Sequence, residues 1–249
     1  MSASETNKEF FGTYWNDNMI TYLSRSAGGR WGEYLLGQIL KEIPPASVTS
    51  AADVGCGVGK KTAQIAAYFP KATVTGYDFS EGAIAAAKSH YQGVKNLRFL
   101  TQDITQDDRG ESFDLVAAFD VLEHIEDWQK MASALVDANT RYAIISVPVG
   151  RMRPYEVNIG HFRNFKKHEI ESFMTSKGYR TVKTFYAGFP FYSPIIRDLT
   201  NIFFKNYAEI PESKMGFLSR RGHDVWYFLF RYCSSKQRGD TFLGLFERG

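Results

Sequence analysis

The run Thr49–Gly59, Thr-Ser-Ala-Ala-Asp-Val-Gly-Cys-Gly-Val-Gly, constrains this chain more than any other stretch. It sets a glycine-rich turn directly behind a short buried-strand pattern, which is where α/β proteins hold nucleotide-like ligands. Gly55, Gly57 and Gly59 permit positive φ and close backbone approach, and the helical pattern from Lys60 to Phe69 aims its first N–H groups at whatever occupies the turn. Two phosphate-binding motifs fail on spacing. A dinucleotide fingerprint starting at Gly55 needs a small residue at position 60, where Lys60 stands, so a nicotinamide or flavin cofactor is disfavoured. A P-loop ending at Gly59-Lys60 needs Gly at 54 and Ser or Thr at 61, and the chain has Val54 and Lys61.

Strand-like and helix-like segments alternate on both sides of this turn. Aromatic and aliphatic residues at helical spacing over Phe10–Tyr22 and Arg30–Ile43 predict two leading helices, the second stopped by Pro44-Pro45. Then come strand Ala51–Val54, a helix to Phe69, strand Thr73–Tyr77, helix Glu81–His90, and strands Leu97–Thr101 and Phe113–Phe119. Helix Trp128–Ala138, strand Tyr142–Val147, helix Lys167–Lys177 and strands Thr181–Gly188 and Thr241–Arg248 complete the series. The alternation predicts an α/β fold with a doubly wound, mostly parallel sheet and right-handed crossovers. Some fifty residues separate the last two strands, against about 2–5 for a hairpin loop, so they form an insertion with structure of its own. It carries Phe189, Phe191, Tyr192, Phe203, Phe204 and Tyr207, then Trp226, Tyr227, Phe228, Phe230 and Tyr232. Faces this aromatic must be buried against the sheet, a substrate, a partner or a lipid surface.

With 249 residues and 44% hydrophobic content, the chain is long enough for one elaborated α/β domain. A net charge of +3, with basic residues dispersed, gives no stripe for nucleic acid. Met1–Glu9 is polar, unlike a signal peptide, and no stretch approaches a membrane span, so a cytoplasmic location is the default expectation. Cys56 and Cys233 lack metal-ligand spacing and read as free thiols, and no metal site is expected.

An acidic residue two before the first glycine, in Asp53-Val54-Gly55-Cys56-Gly57-Val58-Gly59, resembles the first motif of class I S-adenosylmethionine-dependent methyltransferases, of the small-molecule, type 11/12-like kind. Asp78 ends the second strand beside Phe79, about 20 residues beyond the turn, where a carboxylate accepts from ribose hydroxyls. Taken alone it fits a nicotinamide dinucleotide equally well. The resemblance implies that Asp103 accepts from the adenine amine, that the Ile104 backbone bonds the ring, and that Phe119-Asp120 borders the methionine half. It further implies a seven-stranded sheet, a role for Asp53, Gly55, Cys56 and Gly57 in holding the cofactor, and closure by Tyr14 and Trp15, with Arg30 meeting the cofactor carboxylate. It covers roughly residues 50–190 and the last strand.

The implied reaction is in-line methyl transfer from S-adenosyl-L-methionine, leaving S-adenosyl-L-homocysteine, to a small-molecule or glycan-like acceptor at oxygen or nitrogen. Catalysis then rests on holding the acceptor about 3–3.5 Å from the methyl carbon. His124 and His161, beyond the fourth and fifth strands, are candidate bases, with Glu156 and Asp120 weaker ones. Arg151, Arg153 and Arg163 suit either an acceptor anion or a solvated loop. The expected organisation is residues 1–45 closing over the cofactor, 46–189 with 240–249 as the binding core, and 190–239 as the aromatic cap. The partners expected are the acceptor, peripheral membrane contact at most, and a monomer or homodimer. A non-catalytic binding protein of the same fold is the alternative.

Overall fold

The computed structural model describes residues 17–102, 112–203 and 217–249. Two helices, α1 (Asp17–Arg25) and α2 (Ala27–Leu40), lead into β1 (Ser50–Val54), α3 (Lys60–Tyr68), β2 (Thr73–Asp78), α4 (Glu81–His90), β3 (Leu97–Thr101) and β4 (Phe113–Phe119). Next are α5 (Trp128–Asp137), β5 (Asn139–Pro148), α6 (Pro154–Asn158), α7 (Glu169–Ser176) and β6 (Tyr179–Ala187). The insertion follows with α8 (Arg197–Phe203) and α9 (Phe217–Phe228), and β7 (Thr241–Arg248) closes the fold. The sheet has seven strands in the order β3-β2-β1-β4-β5-β7-β6, with β1 to β5 parallel and β7 antiparallel to both neighbours. No helix among the described residues is long and apolar enough to cross a membrane.

Side-chain caps set several helix starts. Ser26, Ser80 and Asp127 each accept from the backbone N–H three residues on, and Glu81 opens α4 while Lys88 and His90 close it, matching the helix dipole. The period-two pattern of β7 divides its side chains: Leu243 and Leu245 enter the core shared with α2, and Phe242 and Phe246 enter the opposite core, with Trp128, Phe165 and Ile170.

The sheet departs from its prediction by more than one residue at the starts of two strands. β5 begins at Asn139 rather than Tyr142: Thr140 and Arg141 are exposed at an irregularity in the pairing with β4, and buried Asn139 donates its amide to the Tyr142 carbonyl. β6 begins at Tyr179, whose ring is buried. The short helix α6 was not anticipated; Pro154 starts it, and Glu156 reaches back to the Arg153 N–H at 2.6 Å.

The insertion is an outer layer over α1 and α2. Arg30 donates to Asp224 at 2.6 Å and stacks over Tyr227, while the Ala27 N–H donates to His223 Nδ1. Trp31 packs on Tyr192 and Phe230, ring centres 4.8 and 5.6 Å away. Tyr192, Tyr227 and Phe230 thus cover the N-terminal helices, while Phe228 and Tyr232 are exposed and pack on each other.

Candidate active site

Neighbouring strands β1 and β4 run to opposite halves of the sheet, and the crevice at their carboxyl ends is the switch point where open α/β sheets bind ligands. The glycine turn lies there. Its glycines have φ of +70°, +53° and +78° at 55, 57 and 59, values that L side chains adopt only under strain. A Cβ at Gly55 would fall 2.5 Å from Val121 Cγ2, and one at Gly59 would fall 2.4 Å from the Phe99 ring. The Gly55 and Cys56 N–H groups donate to the Tyr77 carbonyl, and the Gly57 N–H donates to Asp78 Oδ2 at 2.8 Å.

Asp53, at the end of β1, is 1% exposed. Its Oδ2 accepts from the Thr62 hydroxyl at 2.6 Å, whereas Oδ1 has no hydrogen-bond partner among the described residues. Burial pushes its carboxyl up to about 7, with Thr62 and Lys61 opposing the rise. An unsatisfied buried acceptor of this kind suits a cationic donor entering from the cavity.

A cavity of about 450 Å³ opens in front of the turn, within the range of small-molecule sites. Asp53, the turn, Gly28, Gly29 and Gly32 of α2, Lys61, Phe119 and Asp120 line one end. Asp120 follows β4 at φ +57°, a left-handed conformation that turns its carboxylate toward Lys61. Its Oδ2 accepts from Lys61 Nζ at 3.0 Å and its Oδ1 from the Ser146 hydroxyl at 2.9 Å. Burial opposes its charge, yet Lys61 and Ser146 outweigh that and hold Asp120 below the usual carboxylate range.

Glu123, His124 and His161 line the other end, with Tyr155, Glu156, Tyr192, Arg197 and Asp240. Two contacts zip the turn after β4 to the loop after β5: the Phe162 N–H donates to the Glu123 carbonyl, and His124 Nδ1 donates to the Gly160 carbonyl at 3.2 Å. They bring the two imidazoles edge to face, ring centres 4.6 Å apart. Burial, then the neighbouring His161, pushes His124 down to about 3, and burial lowers His161 as well. Both rings are therefore neutral at physiological pH and present lone pairs. Glu123 is 1% exposed, and burial followed by the Asp120 charge pushes it well above the ordinary range.

The anticipated residues are distributed unevenly. Asp53, Gly55, Cys56, Gly57, Phe119, Asp120, His124 and His161 line the cavity. Asp78 stands one layer behind the turn, its oxygens accepting from Gly57 and Ser80 N–H, and Phe79 is 37% exposed. Arg30 is turned away from the cavity, committed to Asp224 and Tyr227. Tyr14, Trp15, Asp103 and Ile104 lie outside the described residues, as do Phe204 and Tyr207 of the insertion.

Glu156 is an anchor, although it was weighed as a base. It accepts from Arg197, Asn164 and the Arg153 N–H, and despite burial these partners hold it below its ordinary range. Arg153 and Arg151 pair with Asp198, and Arg163 donates to the Glu126 carbonyl, so none of these arginines points an uncommitted charge at the cavity. Cys56 and Cys233 are free thiols. Lys61, Glu123, Tyr192 and Arg197 were not singled out as site residues. Lys61 had been weighed only against the P-loop pattern, while the adjacency of Glu123 to His124 was a signal available in the sequence.

Residues 52–140 match the family model of the methyltransferase domain. That stretch, the core of the sheet, is similar to a methyltransferase domain. A trans-aconitate 2-methyltransferase from Deinococcus radiodurans is 32% identical over 136 residues, 49% of this chain and 51% of the relative. A malonyl-[acyl-carrier protein] O-methyltransferase from Bacillus anthracis is 35% identical over 79 residues, 32% of this chain and 29% of the relative. The chain thus spans about half or less of the length of these curated relatives. The solved magnesium protoporphyrin IX methyltransferase of Synechocystis with bound SAM has the same fold, with a TM-score of 0.61 and 17% identity over 100% of this chain and 98% of that one. A putative sarcosine dimethylglycine methyltransferase from Galdieria sulphuraria gives 0.60 at 14% identity, over 88% and 86%.

Proposed function

We propose that this protein is an S-adenosylmethionine-dependent methyltransferase acting on a small-molecule or glycan-like acceptor at oxygen or nitrogen. The observation that carries the reading is Asp53: a buried carboxyl on the cavity wall, one oxygen unpartnered, beside a turn whose glycines leave room for a ligand against the backbone. An α-ammonium group placed there satisfies that oxygen and neutralises the charge that burial disfavours. The names of the sequence relatives, which act on trans-aconitate and malonyl-acyl-carrier protein, support a small or carrier-borne acceptor.

When bound, S-adenosylmethionine supplies an electrophilic methyl group on a sulfonium. Asp53 and the turn would hold the amino-acid portion, with Asp78 fixing the turn through the Gly57 N–H; the family resemblance would give the ribose to Asp78 and the adenine to Asp103 and Ile104. Phe119 and Asp120 border the methyl-bearing end, where the negative Asp120 carboxylate favours positive charge. His124 and His161 then confront the acceptor with neutral imidazoles, and the aromatic wall of Trp31 and Tyr192 excludes water from the space between. The chain's contribution is chiefly orientation.

Calorimetric titration with S-adenosylhomocysteine tests the reading. Binding by the native chain, weakened about 10- to 100-fold in Asp53→Asn although that variant melts no lower than the native chain, is the expected result. Absence of binding to both S-adenosylmethionine and S-adenosylhomocysteine overturns it.

A further inference from the structure

Three side chains at the acceptor end form a donor set that the glycine turn does not use. Glu123 is buried and its Oε2 has no hydrogen-bond partner among the described residues. One ligand atom from each of Glu123, His124 and His161 lies within 4.8 Å of the others. Hydrogen bonds fix which imidazole nitrogens carry lone pairs. The Gly160 carbonyl can only accept, so His124 carries its proton on Nδ1 and its lone pair on Nε2. For His161 the partner is Asn164 Oδ1 at 3.4 Å. The amide nitrogen of Asn164 donates to the Arg151 carbonyl and to Glu156 Oε2, which identifies its oxygen as the acceptor and puts the His161 proton on Nδ1 too. Both rings thus carry the lone pair on Nε2, each with its Nδ1 proton held by a polar partner, as in metal-ligating histidines.

We propose that Glu123, His124 and His161 bind one divalent cation. Two neutral imidazoles and a carboxylate are the ligands taken by zinc, manganese and iron(II), with open positions left for water or substrate. At metal–ligand distances of about 2.0–2.2 Å, neighbouring ligands stand about 3 Å apart, so the three side chains close by less than 2 Å from their present spread. The cation gives Glu123 Oε2 the partner it lacks among the described residues. All three ligands line the cavity, so the open positions face the acceptor. An acceptor with an oxygen donor, such as a hydroxyl, enolate or carboxylate, completes the coordination. This last step rests on the methyltransferase reading; the cation site itself does not.

The test uses the full chain, freed of metal by a chelator and titrated calorimetrically with Mn²⁺, Zn²⁺ and Co²⁺ in the absence of S-adenosyl compounds. One equivalent is expected to bind. Affinity is expected to fall at least about tenfold in Glu123→Gln and in His161→Ala, and to stay unchanged in His90→Ala, an exposed histidine on α4 outside the cavity. Anomalous scattering from crystals of the native chain grown with Zn²⁺ is expected to place the ion between the three side chains, a readout that needs no variant to fold. No binding of any of the three ions, undiminished binding in both variants, or an ion located elsewhere overturns the site. Because S-adenosylhomocysteine titration is separate, failure here is distinguishable from failure of the methyltransferase reading.

Discussion

At one end of the cavity the wall is largely a single continuous run, Asp53 to Lys61, while at the other Glu123, His161, Tyr192, Arg197 and Asp240 converge from widely separated segments. The first end is local geometry: positive φ at Gly55, Gly57 and Gly59 and one buried carboxyl at a strand terminus. The second is tertiary, held by the zipped loops after β4 and β5 and by the buried pair of Arg197 and Glu156. A local device tolerates change elsewhere in the chain, whereas an assembled one depends on every segment that supplies it.

The largest expected effect therefore lies at the assembled end. Arg197 and Glu156 are 3% and 2% exposed, and Arg197→Ala leaves a buried carboxylate uncompensated. The expected loss is about 3–5 kcal/mol, read by urea denaturation, with the double variant Arg197→Met, Glu156→Leu recovering most of it. A single-variant loss under about 1 kcal/mol would break the view that this pair holds the acceptor end together.

Gly59→Ala comes next. A left-handed residue and a Cβ close to the Phe99 ring are expected to cost about 1–3 kcal/mol and to weaken S-adenosylhomocysteine binding, measured by melting and by calorimetry.

The pH dependence of the first end sharpens the contrast further. The Asp53 carboxyl is raised from 3.8 to about 7 in the folded chain, so its contribution to stability is complete below the unfolded value and is lost as pH climbs through about 7. The ligand-free chain should lose melting temperature over that window relative to Asp53→Asn. An ammonium group beside Asp53 favours the ionised form, so S-adenosylhomocysteine affinity should rise toward about pH 7 and then level off, with proton release on binding. A flat affinity profile in the native chain would remove Asp53 from the ligand.

The smallest effect is expected at Arg30, whose pair with Asp224 is partly solvated. Arg30→Ala should cost at most about 1 kcal/mol and leave S-adenosylhomocysteine affinity unchanged. A tenfold loss of affinity would return Arg30 to the cofactor carboxylate and blur the boundary between cavity and insertion.

Much of the fold was legible because its signals are short-range. Ser80, Glu81, Lys88 and His90 mark both ends of α4, and apolar runs mark β3, β4 and β7 at their observed limits. The start of β5 is not legible because Thr140 and Arg141 are polar and exposed, where the pairing with β4 is irregular. The order of β7 between β5 and β6 fixes which loops meet, and no residue pattern announced it.

The same division runs through the candidate site. Asp53, the glycine turn, Phe119 and Asp120 are readable from the chain because strand-end position and backbone freedom are properties of neighbouring residues. His124 and His161 are visible as residue types in the right loops. Their contact, the burial that keeps both neutral and the orphaned oxygen of Glu123 exist only once those loops are joined. Likewise Arg30, Arg153 and Glu156 have side chains suited to binding ligands, and packing assigns them to one another and to Asp224, Asp198 and Arg197 instead. The sequence by itself determined the strand–turn–helix cradle, since φ preferences and hydrophobic periods act over a few residues. Only the tertiary structure decided which charges remain available to a ligand, because desolvation and pairing depend on groups distant in the chain.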